Sequence, residues 1–130
     1  MTIEQAIEAT LAGSVALAAK VDDRIFYALA PPNTPVPNVV HLEVSSPDVP
    51  QVPFYRPRWQ FSCWAERLDS AREIARIVRD LFIRYRGIMG GAGGVAVSQG
   101  SYIDSIPYRD PETGWWNAPV EFYFIHREGD

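Results

Sequence analysis

RWQFSCWAERLDSAREIARIVRDLFIRYR, residues 58–86, decides the architecture, because its apolar period changes once, from two residues to between three and four. From Arg58 to Glu66 the side chains of Trp59, Phe61, Cys63 and Ala65 fall on one side of an extended backbone, with Arg58, Gln60, Ser62 and Trp64 on the other. That is a strand with one buried face. Beyond it Ala71, Ile74, Ala75, Val78, Leu81, Phe82 and Tyr85 recur at helical spacing, opposed by Arg72, Glu73, Arg76, Arg79, Asp80, Arg84 and Arg86. Ser70 with Glu73 reads as a capping box, so the pattern predicts a helix over 70–86, about 25 Å long at the usual rise per residue. A strand running into such a helix lays the helix across a sheet, with Gly87 supplying its left-handed ending.

Upstream, Thr2 with Gln5 forms a first capping box, and Ile3, Ala6, Ile7, Thr10 and Leu11 line one stripe of a short helix. Gly13-Ser14 interrupts it, Val15 to Val21 resumes as a helical turn, and Arg24 to Tyr27 is extended. The prolines between Pro31 and Asn38 deny the backbone ladder donors, which predicts an ordered connection. Val39 to Ser45 alternates as a strand that a long loop, SPDVPQVPFYRP, joins in a hairpin to the strand beginning at Arg58. Downstream, GIMGGAGG predicts flexibility. Val95 to Ile106 reads as a strand with a bulge at Gly100, Pro107 to Gly114 as a polar loop, and Pro119 to Arg127 as a strand with aromatics on both faces. The expectation is an α+β fold in a single domain over residues 1–130, an antiparallel sheet of about four strands with two helices packed on one face.

A chain of 130 residues carries one core, and its net charge of −4 offers no broad basic field to nucleic acid or acidic lipid. No run resembles a signal peptide or a membrane span, which predicts synthesis and retention in the cytoplasm. Cys63 is the sole cysteine, so a thiol nucleophile would need His41 or His126 as its base; the apolar neighbours Trp59 and Phe61 favour a plain core thiol. Two histidines without HxxxH or HExxH spacing give no local metal motif, and the glycine run follows a helix where a phosphate loop would follow a strand. No catalytic residue, metal or cofactor is therefore expected.

Surplus aromatic residues are more informative. Trp64 sits on the polar face of its strand, and Trp115-Trp116 borders a loop, so all three cannot enter one small core. Such residues mark interfaces, and the expected contact surface comprises Arg58, Trp64, Val49, Pro50, Val52, Phe54, Tyr55, Asp110, Trp115 and Trp116.

The opening IEQAIEATLAG leading through VDDRIFYALAPPNTPVPNVVHLEV, the strand RWQFSCWAE, the helix DSAREIARIVRDLF and the closing PETGWWNAPVEFYFIHRE resemble, in order and spacing, the tail completion or tail terminator proteins of long-tailed bacteriophages. The resemblance spans nearly the whole chain; the glycine run and the loop from Ser46 to Pro57 lie outside it. It implies a non-enzymatic virion protein at the head–tail junction, forming a homo-oligomeric, six-fold ring. The ring would stop tail-tube growth, dock to the head connector and let DNA pass without sequence-specific binding. A head-side stopper or adaptor shares these features. From a different class, a small-ligand-binding domain would use the glycine loop and tryptophans as a pocket.

Overall fold

The computed structural model describes residues 1–45, 54–103 and 105–127. Helices α1 (Ile3–Ala12), α2 (Val15–Val21) and α3 (Leu68–Phe82) pack with a curled sheet in a mixed α+β fold. Its strands are β1 (Ile25–Tyr27), β2 (Asn38–Ser45), β3 (Phe54–Tyr55), β4 (Arg58–Ala65), β5 (Gly87–Met89), β6 (Val95–Ile103), β7 (Tyr108–Arg109) and β8 (Trp116–Arg127). The four long strands run in the order β2-β4-β8-β6, all antiparallel, as the alternation predicts.

The sheet is larger than four strands for two reasons. At its edges the 28–37 connection returns β1 parallel to β2, and the glycine run folds β5 back on β6. In the centre, β8 has 12 residues and outruns both neighbours. On one side β4 covers positions 116–123 and β3 adds 126–127; on the other β6 covers 121–126 and β7 adds 116–117. Short strands thus complete the ladder of a strand that must be paired along its length.

Three helices stand where two were expected, because Ser14 accepts the Leu17 N–H at 3.1 Å and starts α2 as a separate helix. The first capping box is present, Thr2 accepting from the Gln5 amide while Gln5 accepts from that of Thr2. The second is not. Helix α3 begins at Leu68 with Arg67 as an N-cap lacking a side-chain bond, and Glu73 instead holds Lys20 of α2 at 2.8 Å. It also ends early, at Phe82. There the backbone turns to β6, the Arg84 N–H donating to the Gly100 carbonyl and the Gly100 N–H to the Tyr85 carbonyl, both at 3.1 Å. Arg84, with φ of 56°, makes the left-handed turn assigned to Gly87.

The glycine run opens as the strand Gly87–Met89 and continues as a turn into β6. Met89 is fully buried, and Gly90, with φ of 94°, lies against α1 where a Cβ would come within 3.1 Å of the Ala6 Cα. The irregularity in β6 falls between Val97 and Gln99, before Gly100.

Phe61, Phe82, Phe122 and Phe124 form the centre of the core, Phe61 stacking on Phe82 with ring centroids 5.0 Å apart. The buried side of β2 carries Val39 and His41, leaving Val40, Leu42 and Val44 on the outer side. A histidine can sit there because both ring nitrogens are satisfied. Nδ1 accepts from the Trp59 Nε1–H at 3.1 Å, which assigns the ring proton to Nε2, facing the Glu8 carboxylate.

Candidate assembly surface

The helices cover one face of the sheet, so every second residue of the long strands faces away from them. In register, Val40, Ser62 and Pro119 form one row of this outer face, and Leu42, Gln60 and Glu121 the next. Arg58 closes it with a forked ion pair, Nε and Nη2 each donating to a Glu121 carboxylate oxygen at 3.2 Å, while Ser105 Oγ donates to the same carboxylate at 2.8 Å. Arg56 lies over the Tyr123 ring at 4.3 Å. Arg58 is therefore first a cross-strand clamp between β4 and β8, a role that the expected contact surface did not include.

The two adjacent tryptophans separate. Trp115 and Trp64 both line a cavity of about 540 Å³ on the outer face, together with Leu29, Pro31, Leu42 and Asp110. Trp64 meets Tyr108 edge-on at 6.0 Å. Asp110 shapes the turn that delivers Trp115: its Oδ1 accepts the Glu112 N–H at 3.0 Å and its own N–H donates to the Trp115 carbonyl at 2.8 Å. Trp116 points to the other face and packs against the core beside Ala65, its partner in register. Period-two alternation of an extended chain requires this split, and it removes Trp116 from the outer cluster.

Tyr55 is 43% exposed and stacks on His126 at 5.5 Å, at the far end of β8 from Trp64. Phe54 pairs through its backbone with Arg127. Val49, Pro50 and Val52 lie outside the described residues. Thus Trp64, Asp110 and Trp115 converge, whereas Arg58 and Tyr55 sit elsewhere.

Sequence reasoning missed Leu29, 80% exposed at the cavity, and Tyr108, 50% exposed beside Trp64. The signal was available for Leu29, an apolar residue stranded before a proline run. Also missed were Asn38 and Asn117, opposite Trp64 on its two neighbouring strands. Each buries an Oδ1 that has no hydrogen-bond partner among the described residues, a costly state for a buried acceptor.

Trp64→Ala is expected to cost about 1 kcal/mol or less, since the ring lines the outer-face cavity and is not packed on the core, whereas Trp116→Ala removes a core contact and costs roughly 2 kcal/mol. Urea unfolding of the two variants measures the difference; equal losses would reject the opposite orientation of the two side chains.

Cys63 is fully buried, its thiol directed at the Phe61 carbonyl 4.0 Å away, and burial pushes its pKa far up. His41 is engaged by Trp59 and Glu8. His126 Nδ1 lies against the Arg127 carbonyl, and burial lowers its pKa. Neither histidine hydrogen-bonds the thiol among the described residues. Among the described residues no three His, Cys, Asp or Glu side chains gather as a metal site, and no helix is long and apolar enough to cross a membrane.

No family model and no curated protein matches the chain. A chain in the solved structure of the "Virion of native gene transfer agent (GTA) particle" has the same fold, with a TM-score of 0.80 over 98% of this chain and 96% of that one, at 14% identity.

Proposed function

We propose that this chain is a structural subunit of a phage-like virion, acting as a tail terminator. In this role copies of it form a ring at the head-proximal end of the tail, end the growth of the tail tube and give the head connector a surface to dock on. The observation that carries this reading is the agreement of fold, end to end, with a chain of a gene transfer agent virion. The order and spacing of the four sequence segments narrow it to the tail terminator resemblance.

The outer face supports an assembling role. Trp64, Trp115, Leu29 and Tyr108 place aromatic and aliphatic surface where no helix of the chain covers it. The partners are further copies, six to a ring, together with the tail tube protein and connector proteins. DNA traverses the ring without sequence-specific contact, and a net charge of −4 does not promote adhesion to phosphate. In this role the protein needs no cofactor and performs no chemistry, and the buried thiol of Cys63 is consistent with that reading. It is made in the host cytoplasm and ends in the virion, at the head–tail junction. A head-side stopper would use the same surface toward a different neighbour.

Light scattering of the purified protein over a concentration series tests the proposal. The expected result is a species near six times 14.6 kDa, or a monomer that shifts toward it as concentration rises. A protein that stays monomeric or dimeric favours the second reading, a ligand-binding domain, which the cavity of about 540 Å³ supports through its two indoles and Asn38. The glycine loop plays no part in that cavity. A ligand-induced rise in melting temperature would mark that alternative.

A further inference from the structure

The arginines of α3 divide into two kinds. Arg67, just before the helix, pairs with Asp69 and Arg79 with Asp80, both within the same segment. Arg72 and Arg76 are exposed and make no ion pair among the described residues. They lie one turn apart on the helix, a like-charged arrangement that disfavours the isolated helix unless an anion is supplied. Two surface grooves, of about 270 and 630 Å³, meet at these two side chains. One is walled by Tyr102, Pro107 and Pro119, the other by Trp116 and Glu66.

An opposite arrangement stands at the other end of the sheet. Glu4 and Glu8 are one turn apart on α1 and line a groove of about 370 Å³ against Tyr27 of β1. Glu8 keeps 43% of its side chain exposed while one of its oxygens meets His41. Two carboxylates thus line the groove; burial first, and the Glu4 carboxylate next, raise the pKa of the Tyr27 phenol beside them. In both pairs four residues separate the charges, a rise of about 6 Å along either helix. The acidic groove and the arginine grooves share no residue, so one chain does not close them on itself.

We infer that Arg72 and Arg76 of one copy dock against Glu4 and Glu8 of the next, as the charged contact between neighbouring subunits. The contact joins two different patches, which makes it head-to-tail, the kind of contact that generates rings when the rotation closes. Guanidinium forks suit carboxylate partners, and the matched pitch lets two pairs form at once. This inference rests on the ring reading above and names the surfaces that build the ring.

Charge exchange tests it. In sedimentation velocity at about 50 mM salt, Arg76→Glu or Glu4→Arg alone is expected to weaken self-association at least about tenfold, and the two combined in one chain to recover it to within about threefold. Arg72→Ala with Arg76→Ala should weaken association at low salt and approach wild type at about 0.5 M salt, where exposed pairs are screened. Unchanged melting transitions show that each variant is folded. A ring that ignores both exchanges, or a double exchange that fails to recover, overturns this contact and leaves the ring reading standing. A wild-type chain that never associates overturns the ring reading and this contact with it.

Discussion

Phe122→Ala is expected to lower stability by about 3–5 kcal/mol, the range for truncating a fully buried aromatic side chain. Phe122 is fully buried at the middle of β8, the strand on which the sheet is built, and its ring meets Tyr102 at 5.5 Å, Phe124 at 5.6 Å, Phe82 at 5.9 Å and Phe61 at 6.3 Å. Those neighbours come from α3, β4, β6 and β8 itself, so no single element moves to fill the space left behind. The removed apolar area and the residual cavity both count against the variant. The melting midpoint should fall by roughly 10–20 °C for a chain of this size. Phe122→Leu, which keeps most of the volume, should lose much less. A loss below about 1 kcal/mol in Phe122→Ala, measured by urea unfolding, would show that the aromatic cluster is not the core it is described as.

Gly100→Ala should be the most damaging change on β6, although it adds only a methyl group. A Cβ at this position would stand 2.5 Å from the Phe82 carbonyl oxygen, which is backbone and cannot swing aside, and 3.5 Å from both the Phe124 ring and Tyr85 Cβ. The constraint is space, since the two segments are pinned there by the Arg84–Gly100 and Gly100–Tyr85 backbone hydrogen bonds. Inserting the methyl forces the end of α3 away from β6 and lengthens both bonds, at a cost of about 1–3 kcal/mol or more. Hydrogen exchange should speed up at the Arg84 and Gly100 amides before it does at the centre of β8. If those two amides keep wild-type protection while stability is unchanged, the close approach is absent.

These two residues also mark how much of the fold is legible in the chain. Phe122 belongs to an alternation that announces itself, with Val120, Phe124 and His126 on the same side, and all four are buried. Trp59, Phe61, Cys63 and Ala65 were equally plain, and so were Ala71, Ile74 and Val78 on α3. Gly100 was not. Its neighbour Phe82 is 18 positions away, and no local pattern reports that a helix end will come to rest on it. The same distance effect displaced the C-terminal helix boundary, because bonds to β6 replaced the helical continuation from Ile83 to Arg86 that the periodicity and Gly87 suggested.

The candidate surface was legible in kind and only partly in place. An excess of tryptophan over what a small core holds is a compositional fact, and Trp64 and Trp115 do stand on the uncovered face. Their convergence with Leu29 and Asp110 depends on a proline-rich connection and a turn meeting over β2 and β4, contacts separated by tens of residues. The buried amides of Asn38 and Asn117 are invisible to any periodicity, since an asparagine in a strand gives no sign of whether its oxygen will find a donor.

By itself the sequence determined which residues share a face, because the periods of two and of about three and a half are set by backbone geometry within a few residues. It therefore settled the α+β class, the four long strands, the buried stripe of α3 and the absence of a local catalytic or metal motif. Only the tertiary structure decided which edge each strand pairs with, that Trp115 and Trp116 serve opposite faces, that the glycine run opens as the short strand β5 and turns back to β6, and that Arg72 and Arg76 make no ion pair among the described residues while Arg58 is clamped by Glu121. Those outcomes depend on which distant groups compete for the same space and the same hydrogen bonds, and that competition exists only once the chain has closed on itself.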